Sequence, residues 1–356
     1  GIEINKEESK RYLREGARLG HIESMFKYGI EMIDDTKSKD DSILYLKKLI
    51  EEGHIESMYR YGMMLLKGEG VEKNKKEAAK YLRMAAYCGN PDAMASYGDM
   101  VLLGDDIPVD KEEALKLFQR GIELENGEAM NNYAYMLDYG NGVPVNKEEA
   151  IKYYKMAIDK GNSSAMNNYG YMLQIGDQVP VNKEEAIKYY RMAIEQGNST
   201  AMINYAKMLR YGEGVPVNKE EAIKYYKLAI EKGNNGALSD YILMLQYEED
   251  AETDREEAIR ILKKAIERGD SDAMNRYAVM LYNGKGIPIN KEEAFKYIQM
   301  SVDRGNINAM IIYAIFLSEN VENPSDQEES TKYFKLAADQ GHLDAMFNYA
   351  VMLYNG

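Results

Sequence analysis

Apolar and small side chains recur along this chain at the spacing of amphipathic helices, in pairs of segments. In residues 165–198, one apolar stripe runs through Leu173 and a second runs through Tyr190. This spacing predicts a first helix, here called helix A, over about 164–175 and a second, helix B, over about 183–196. The pair recurs through the chain, so the pattern predicts an all-α fold without β-sheet.

A fixed period of 36 residues, shortened once to 33, organises the sequence. An alanine or serine marks each period, and a tyrosine follows it four positions later: Tyr28, Tyr61, Tyr97, Tyr133, Tyr169, Tyr205, Tyr241, Tyr277, Tyr313 and Tyr349. Such a period is the signature of stacked-repeat proteins and lowers the expectation of an enzyme. We predict ten A helices and ten B helices, which form one solenoid domain over 1–356.

Polar and glycine residues at fixed positions predict where each helix begins and ends. Gly176 is placed to end helix A, and Gly197 to end helix B. A Gly or Ala follows the helix A tyrosine in nine units, which predicts close approach of another backbone; Ile242 is the exception, so its unit should be spread or rotated. Capping boxes are predicted at Asn74/Glu77, Asp110/Glu113, Asn146/Glu149, Asn182/Glu185, Asn218/Glu221, Asp254/Glu257, Asn290/Glu293 and Asp326/Glu329.

These positions together resemble the Sel-1-like repeat, a relative of the tetratricopeptide repeat. The matching residues in one unit are Ala201, Gly212, Gly214, Val215, Asn218, Ala222, Tyr225, Tyr226, Ala229 and Gly233. Units 237–269 and 309–341 match least, because 248–250 and 318–320 replace the Gly-x-Gly loop, and those loops should differ in shape. The resemblance implies a right-handed α/α superhelix that acts as a non-enzymatic scaffold or adaptor for other proteins. Both ends fall inside repeats, so we expect the chain to be cut from a longer protein.

Composition narrows the classes of partner. The chain has 45 basic and 59 acidic residues, a formal net charge of −14, which disfavours nucleic acid and favours protein or peptide partners, including basic ones. No apolar run is long enough for membrane insertion. The single Cys88 favours a reducing, cytoplasmic location. Sequons at Asn162 and Asn198 keep the alternative of the ER lumen or secretion open.

Candidate chemistry is sparse. His21, His54 and His342 occupy the same turn between helix B and helix A in different units, so we expect turn residues rather than converging metal ligands. The Gly-x-Gly loops lack the preceding strand of a dinucleotide site. Most of the 30 tyrosines are expected to pack in core columns. We therefore predict no catalytic residue, no cofactor and no metal site.

The angle of each residue around helix A predicts a binding face. A helix advances about 100° per residue, so the positions one before, two after and six after the tyrosine lie opposite the buried stripe. The concave surface is the usual binding face of solenoids, and helix A lines it in the tetratricopeptide relatives. The predicted protein-binding residues are Asn132, Tyr135, Tyr139, Asn168, Tyr171, Asn204, Lys207, Tyr211, Arg276, Val279, Ile312 and Ile315.

Two parts of this face have alternative interpretations. The ladder formed by Asn132, Asn168 and Asn204 either pairs with an extended peptide backbone, since amides both donate and accept, or solvates the groove and bonds neighbouring helices. The apolar patch of the C-terminal repeats either packs within the chain or binds an apolar partner helix or a second copy, giving self-association. The patch consists of Val279, Ile312, Ile315 and Val351.

We predict a non-enzymatic protein-interaction scaffold that binds a protein segment along its concave face. Two alternatives remain open. In the first, the chain is a targeting or regulatory arm of a larger multidomain enzyme such as a protein kinase. In the second, it is a luminal adaptor in protein quality control.

Overall fold

The computed structural model describes residues 6–33, 35, 38–104, 106–245, 252–284, 287–319 and 324–355, and every regular element in these ranges is an α-helix. B and A helices alternate as predicted, with odd numbers for B and even numbers for A. The helices are α1 (Lys6–Arg18), α2 (Ile22–Glu31), α3 (Lys39–Glu51), α4 (Ile55–Lys67), α5 (Lys75–Tyr87), α6 (Pro91–Leu103), α7 (Lys111–Glu123), α8 (Gly127–Tyr139), α9 (Lys147–Asp159), α10 (Ser163–Ile175), α11 (Lys183–Glu195), α12 (Ser199–Tyr211), α13 (Lys219–Glu231), α14 (Asn235–Leu245), α15 (Glu252–Glu267), α16 (Ser271–Asn283), α17 (Lys291–Val302), α18 (Ile307–Ser318), α19 (Pro324–Asp339) and α20 (Leu343–Asn355).

The chain divides into two compact units, Gly1–Asn204 and Tyr205–Gly356. In the first unit, each A helix packs against the B helix that follows it, as α4 does on α5 and α8 on α9; in the second, α16 packs on α17 and α18 on α19. This tandem packing of helix pairs makes the fold an all-α solenoid. The right-handed superhelical twist stays a prediction.

Tyrosine pairs form a regular column in the core. Tyr61 meets Tyr81 edge-on, with ring centroids 5.0 Å apart, and Tyr169 meets Tyr189 in the same way at 5.2 Å. Each pair joins a helix A tyrosine to the residue 20 positions later in helix B. Edge-to-face contacts at this distance are favourable because the positive edge of one ring meets the negative face of the other. The predicted packing columns are confirmed.

The small residue after the helix A tyrosine makes room chiefly for a side chain. A Cβ on Gly98 would lie 2.5 Å from the Phe118 ring, and one on Gly170 would lie 3.1 Å from the Tyr190 ring and 3.3 Å from the Ala186 carbonyl oxygen. The expectation of close backbone approach therefore holds only in part, because the nearest atoms belong to a buried side chain of the next helix B and backbone atoms come second. The effect of Ile242 on its own unit stays a prediction.

Most of the predicted caps form. Asn146 accepts a hydrogen bond from the Glu149 backbone N–H at 3.2 Å and donates to its carboxylate at 2.9 Å. Gly176 and Gly197 have φ of +77° and +81° at the helix ends, as predicted. The boxes at Asp254 and Asp326 are wrong, because both residues lie inside their helices, which begin at Glu252 and Pro324. Pro324 explains the second case, since proline favours the first turn.

Two predictions about loop shape cannot be compared with the structure. Residues 248–250, which replace the Gly-x-Gly loop in one weak unit, lie outside the described residues, and so does Asn320 in the other. The angular argument also places Leu243 and Tyr247, two and six positions after Tyr241, on the helix A face. Tyr247 and the side chain of Leu243 lie outside the described residues.

Candidate protein-binding face

Five asparagine side chains form a continuous hydrogen-bonded chain across three A helices. Asn204 Nδ2 donates to Asn167 Oδ1 (2.9 Å), and Asn167 Nδ2 donates to Asn168 Oδ1 (3.2 Å). Asn168 Nδ2 then donates to Asn131 Oδ1 (3.1 Å), and Asn131 Nδ2 donates to Asn132 Oδ1 (3.0 Å). These five residues are called the asparagine chain below. They connect α8, α10 and α12.

The asparagine chain contains residues that the angular argument missed. Asn131 and Asn167 are 5% and 7% exposed, whereas Asn132, Asn168 and Asn204 are only partly buried. The predicted ladder therefore bonds neighbouring helices through Asn131 and Asn167, and it also keeps a partly exposed edge. The signal in the sequence was the doublet Asn131-Asn132 and its copy 36 residues on.

Three tyrosines lie beside the asparagine chain on the same helices. Tyr135 and Tyr139 of α8 have ring centroids 4.5 Å apart, and Tyr171 of α10 lies nearby. Burial, with the charge of Asp138 and the two neighbouring tyrosines, raises the pKa of Tyr139. Their exposed fractions are 40%, 58% and 42% respectively, so they offer broad contact area with few rotatable bonds.

An acidic pocket of about 420 Å³ lies next to Asn132 on the helix A face of α4, α6 and α8. Its carboxylates are Asp92, Asp99 and Glu128. Asp92 accepts from Asn126 Nδ2 at 2.7 Å, and Glu128 accepts from the Asn162 amide at 2.6 Å. A carboxylate has about four acceptor positions, so one amide bond leaves Asp92 and Glu128 free to bind a cation.

An apolar wall adjoins the carboxylates of the pocket. Tyr59 lines the pocket with Met63 and Leu103. Burial, followed by the negative charge of Asp92, raises the pKa of the Tyr59 hydroxyl. A lysine or arginine side chain suits such a site, because its aliphatic stem contacts the apolar wall while its charged end meets the carboxylates.

A buried ion pair supports the aromatic part of the face. Asp138, which is 6% exposed, lies 3.0 Å from Lys147 Nζ and accepts from the Tyr154 hydroxyl at 3.4 Å. Lys147 also pairs with Asp177 of the next repeat, and its ammonium lies 6.0 Å from the Tyr139 ring centroid. This cluster joins the C-terminal end of α8 to α9 and to the loop after α10. Asp138 takes the place of an apolar residue in this position of several other units, such as Leu102.

In the second unit the predicted residues do not form such a chain. Lys207 pairs with Asp240 at 2.9 Å, and Tyr211 is 59% exposed. Arg276 is exposed on α16, and Val279 is partly buried. Among the described residues, this part of the face has charged side chains such as Lys207, Asp240 and Arg276 in place of the asparagine amides.

Asn275 of α16 occupies the position of Asn131 and Asn167, and it is 8% exposed. Its Oδ1 has no hydrogen-bond partner among the described residues. In the asparagine chain the donor stands 37 residues later, and 37 residues after Asn275 stands Ile312. The apolar side chain cannot donate, so the chain is not repeated at this point.

The apolar residues of α18 and α20 border an open cavity. Ile315 and Val351 are each 39% exposed and line a space of about 570 Å³ with Phe334 and Met352. Ile312 is only partly buried. The exposure of Ile315 agrees with its predicted place on the outer side of helix A. The role of Ile315 in self-association stays a prediction.

Two of the three histidines have the predicted structural role. His21 and His54 cap α2 and α4 by accepting from the backbone N–H of Ser24 (3.3 Å) and Ser57 (3.2 Å). His342 precedes α20, and its Nδ1 is buried without a partner in the described part of the chain. Within the residues that the structure describes, no cluster of three or more His, Cys, Asp or Glu side chains could hold a metal ion. None of the described helices has both the length and the apolar character needed to span a membrane.

Several solved structures are similar to this chain. The protective antigen c5321 of uropathogenic Escherichia coli, which displays an SLR fold, has a TM-score of 0.50 and 23% identity, over 99% of this chain and 76% of that chain. A Sel1 repeat protein from Oxalobacter formigenes has a TM-score of 0.49 and 24% identity, over 84% and 87%. Human IFIT1, solved as a dimer with m7Gppp-AAAA, has a TM-score of 0.57 and 15% identity, over 98% and 86%.

A comparison with curated proteins finds no significant match. The family model described as "Sel1 repeat" matches ten segments, residues 1–21, 55–90, 91–126, 127–162, 163–198, 199–234, 237–270, 271–306, 313–342 and 343–356. Proteins with this repeat generally act as protein-interaction scaffolds and are typically not enzymes. Because these matches cover most of the sequence in the register of the helix pairs, the chain belongs to the Sel1 repeat family.

Proposed function

We propose that this protein is an interaction scaffold that holds an extended, basic protein segment along the helix A face of its first unit. The observation that carries the proposal is the order of features along that face. The acidic pocket at α4, α6 and α8 is followed by the asparagine chain and by the exposed rings of Tyr135, Tyr139 and Tyr171. Charge, amides and aromatic rings thus lie side by side on consecutive repeats.

The asparagine chain has hydrogen-bonding groups left over. Asn132 Nδ2 and Asn204 Oδ1 form no hydrogen bond in the described residues, and Asn168 uses one of its two N–H donors. An amide offers two donors and two acceptor lone pairs. These remaining groups can pair with the N–H and C=O of an extended peptide without reading its sequence.

The acidic pocket selects the charge of the segment. A cationic side chain placed between Asp92, Asp99 and Glu128 gains charge-assisted hydrogen bonds, which are about twice as strong as neutral ones. A phosphate backbone would be repelled there, so the proposal excludes nucleic acid as the partner on this face. The proposal includes a cytoplasmic location, supported by the single exposed Cys88.

A peptide titration tests the proposal. The probe is a fluorescent nine-residue polar peptide with lysine at every third position, and its counterpart has glutamate there. We expect the lysine peptide alone to bind the full chain, and Asp99→Lys to weaken it by at least about tenfold, which corresponds to about 1.4 kcal/mol. Asp159→Lys, the same charge change on the exposed end of helix B in the next repeat, is the matched control and should bind like wild type.

Two results would overturn the proposal. One is equal binding of the lysine and glutamate peptides, which removes the role of the acidic pocket. The other is an equal loss of affinity in Asp99→Lys and Asp159→Lys, which reduces the effect to net charge.

A further inference from the structure

A second pocket lies on the opposite side of the repeats, between consecutive B helices. Its volume is about 820 Å³, and it is bounded by α5, α7 and the loop before α7, with α6 as its floor. Tyr97 and Val101 of α6 form the apolar floor, and Ile107 and Pro108 form part of the wall. It contains none of the residues of the helix A face described above.

The pocket lies at a position where the core column has no tyrosine. In the preceding repeat, the equivalent space holds the Tyr81 ring, whose neighbours are Tyr61, Glu77, Lys47 and Glu51. The residues 36 positions later are Tyr97, Glu113, Arg83 and Tyr87, and all four line the pocket. The residue 36 positions after Tyr81 is Leu117. Leu117 is buried, but it is too short to reach the space that a tyrosine ring fills in the neighbouring repeats.

The wall that α5 contributes is cationic. Lys76, Lys80 and Arg83 all line the pocket at helical spacing. The Arg83 guanidinium lies 5.6 Å from the Tyr87 ring centroid. Lys76 is a second departure from the repeat, because the following units have glutamate at this position, as at Glu112 and Glu148. The absent tyrosine ring and the lysine in place of glutamate both affect the same pocket. Its α5 wall is positively charged, although the net charge of the chain is −14.

Both carboxylates of the pocket accept a hydrogen bond from within the protein. The Tyr87 hydroxyl donates to Glu113 across the outer rim, which raises the pKa of Tyr87. Asp110 caps α7 by accepting from the Glu113 backbone N–H at 2.9 Å. The three cations outnumber the two carboxylates among the lining residues, so the pocket has a net positive charge and favours an anionic ligand.

We propose that the pocket beside Leu117, with its cationic wall from α5, binds a second protein segment, one that inserts an aromatic side chain next to acidic residues. The inserted ring takes the place of the missing tyrosine and meets the Tyr97 ring, as Tyr81 meets Tyr61. The acidic residues that flank it pair with Lys76, Lys80 and Arg83. The site is distinct from the helix A face, so the scaffold would hold two segments of opposite charge on opposite sides of one repeat.

Filling the pocket tests the proposal. The probe is a fluorescent peptide with one phenylalanine between acidic residues, compared with peptides that have alanine for phenylalanine or lysine for the acids. Wild-type protein is expected to bind the first peptide at least about tenfold more tightly than either of the others. Leu117→Tyr restores the residue that Tyr81 and Tyr153 provide in adjacent repeats, and it should abolish the binding.

A charge variant keeps the test decisive if Leu117→Tyr does not fold. Lys80→Glu should weaken the phenylalanine peptide by at least about tenfold, while Lys152→Glu should not. The control is matched, because each lysine lies over the ring of the next residue, Tyr81 at 5.4 Å and Tyr153 at 5.9 Å. The proposal is overturned if no peptide binds, if phenylalanine and alanine peptides bind equally, or if a folded Leu117→Tyr binds like wild type.

Discussion

Asn167→Ala removes the centre of the asparagine chain and tests whether the chain holds consecutive repeats together. The Asn167 side chain is 7% exposed, accepts from Asn204 at 2.9 Å and donates to Asn168 at 3.2 Å. The substitution removes both bonds. It also leaves an amide N–H of Asn204 and a carbonyl of Asn168 facing a small cavity.

The expected loss of stability follows from these contacts. Each neutral hydrogen bond contributes about 1 kcal/mol net, and both neighbours are partly exposed, so water replaces some of the loss. Truncating a buried side chain adds a cavity contribution of about 1 kcal/mol. We therefore expect Asn167→Ala to lower the free energy of unfolding by about 2–3 kcal/mol. Asn132→Ala, at the end of the chain with a single bond, should cost about 1 kcal/mol or less.

Urea unfolding followed by circular dichroism measures both variants. A double-mutant cycle of Asn167→Ala with Asn204→Ala should give a coupling energy of about 1 kcal/mol, because the two residues share one bond. Repeat arrays are stabilised by nearest-neighbour interfaces, so hydrogen exchange should speed up first in α10 and α12. If Asn167→Ala unfolds at the wild-type urea concentration, or costs no more than Asn132→Ala, the asparagine chain is not a structural element.

Three further predictions follow from other contacts. Lys147→Met leaves the buried Asp138 carboxylate without its cation and should destabilise the protein by about 2–3 kcal/mol in thermal or urea unfolding; an unchanged stability would contradict the buried pair. If the apolar patch is an interface, Ile312→Asp combined with Ile315→Asp should abolish partner binding or self-association in sedimentation velocity while the protein stays helical; loss of helical signal would place both residues in the core. Burial and a hydrogen bond to a carboxylate raise the pKa of Tyr282 to about 12, so its contribution to stability is complete below pH 10 and lost as the pH rises from 10 to 12. Tyr282→Phe should reduce that alkaline loss by about 2 kcal/mol, and identical pH profiles would refute the assignment.

The alternation of A and B helices could be predicted because each repeat contains several independent sequence signals for it. Apolar spacing, an Asn or Asp cap and a glycine end agree in most units, so an error in one signal is corrected by the others. The prediction failed where that agreement is lost. At Asp326 a capping pattern is present, but Pro324 two residues earlier begins the helix instead.

The candidate face was predicted only in part, because the angular argument treats one helix at a time. It identifies Asn168 as an outward residue, and it cannot show that the amide bonds to Asn131 of the preceding repeat. The same limit applies to the ion pair between Asp138 and Lys147, which are separated by a turn. The pocket beside Leu117 depends on a break in the tyrosine column that is visible in the sequence, but its cationic wall comes from a different helix.

Site-specific photo-cross-linking tests the central claim most directly. A photoreactive phenylalanine analogue is placed at Tyr135, at Tyr171 or, as control, at Lys152 on helix B, and the lysine-containing nine-residue peptide is the partner. Neighbouring helices lie about 8–10 Å apart and an extended chain rises about 3.3 Å per residue. We therefore predict adducts from positions 135 and 171 at peptide residues about three apart, and no adduct from position 152. Adducts of equal yield at position 152, or adducts from 135 and 171 without a fixed spacing, would contradict binding of an extended segment along the helix A face.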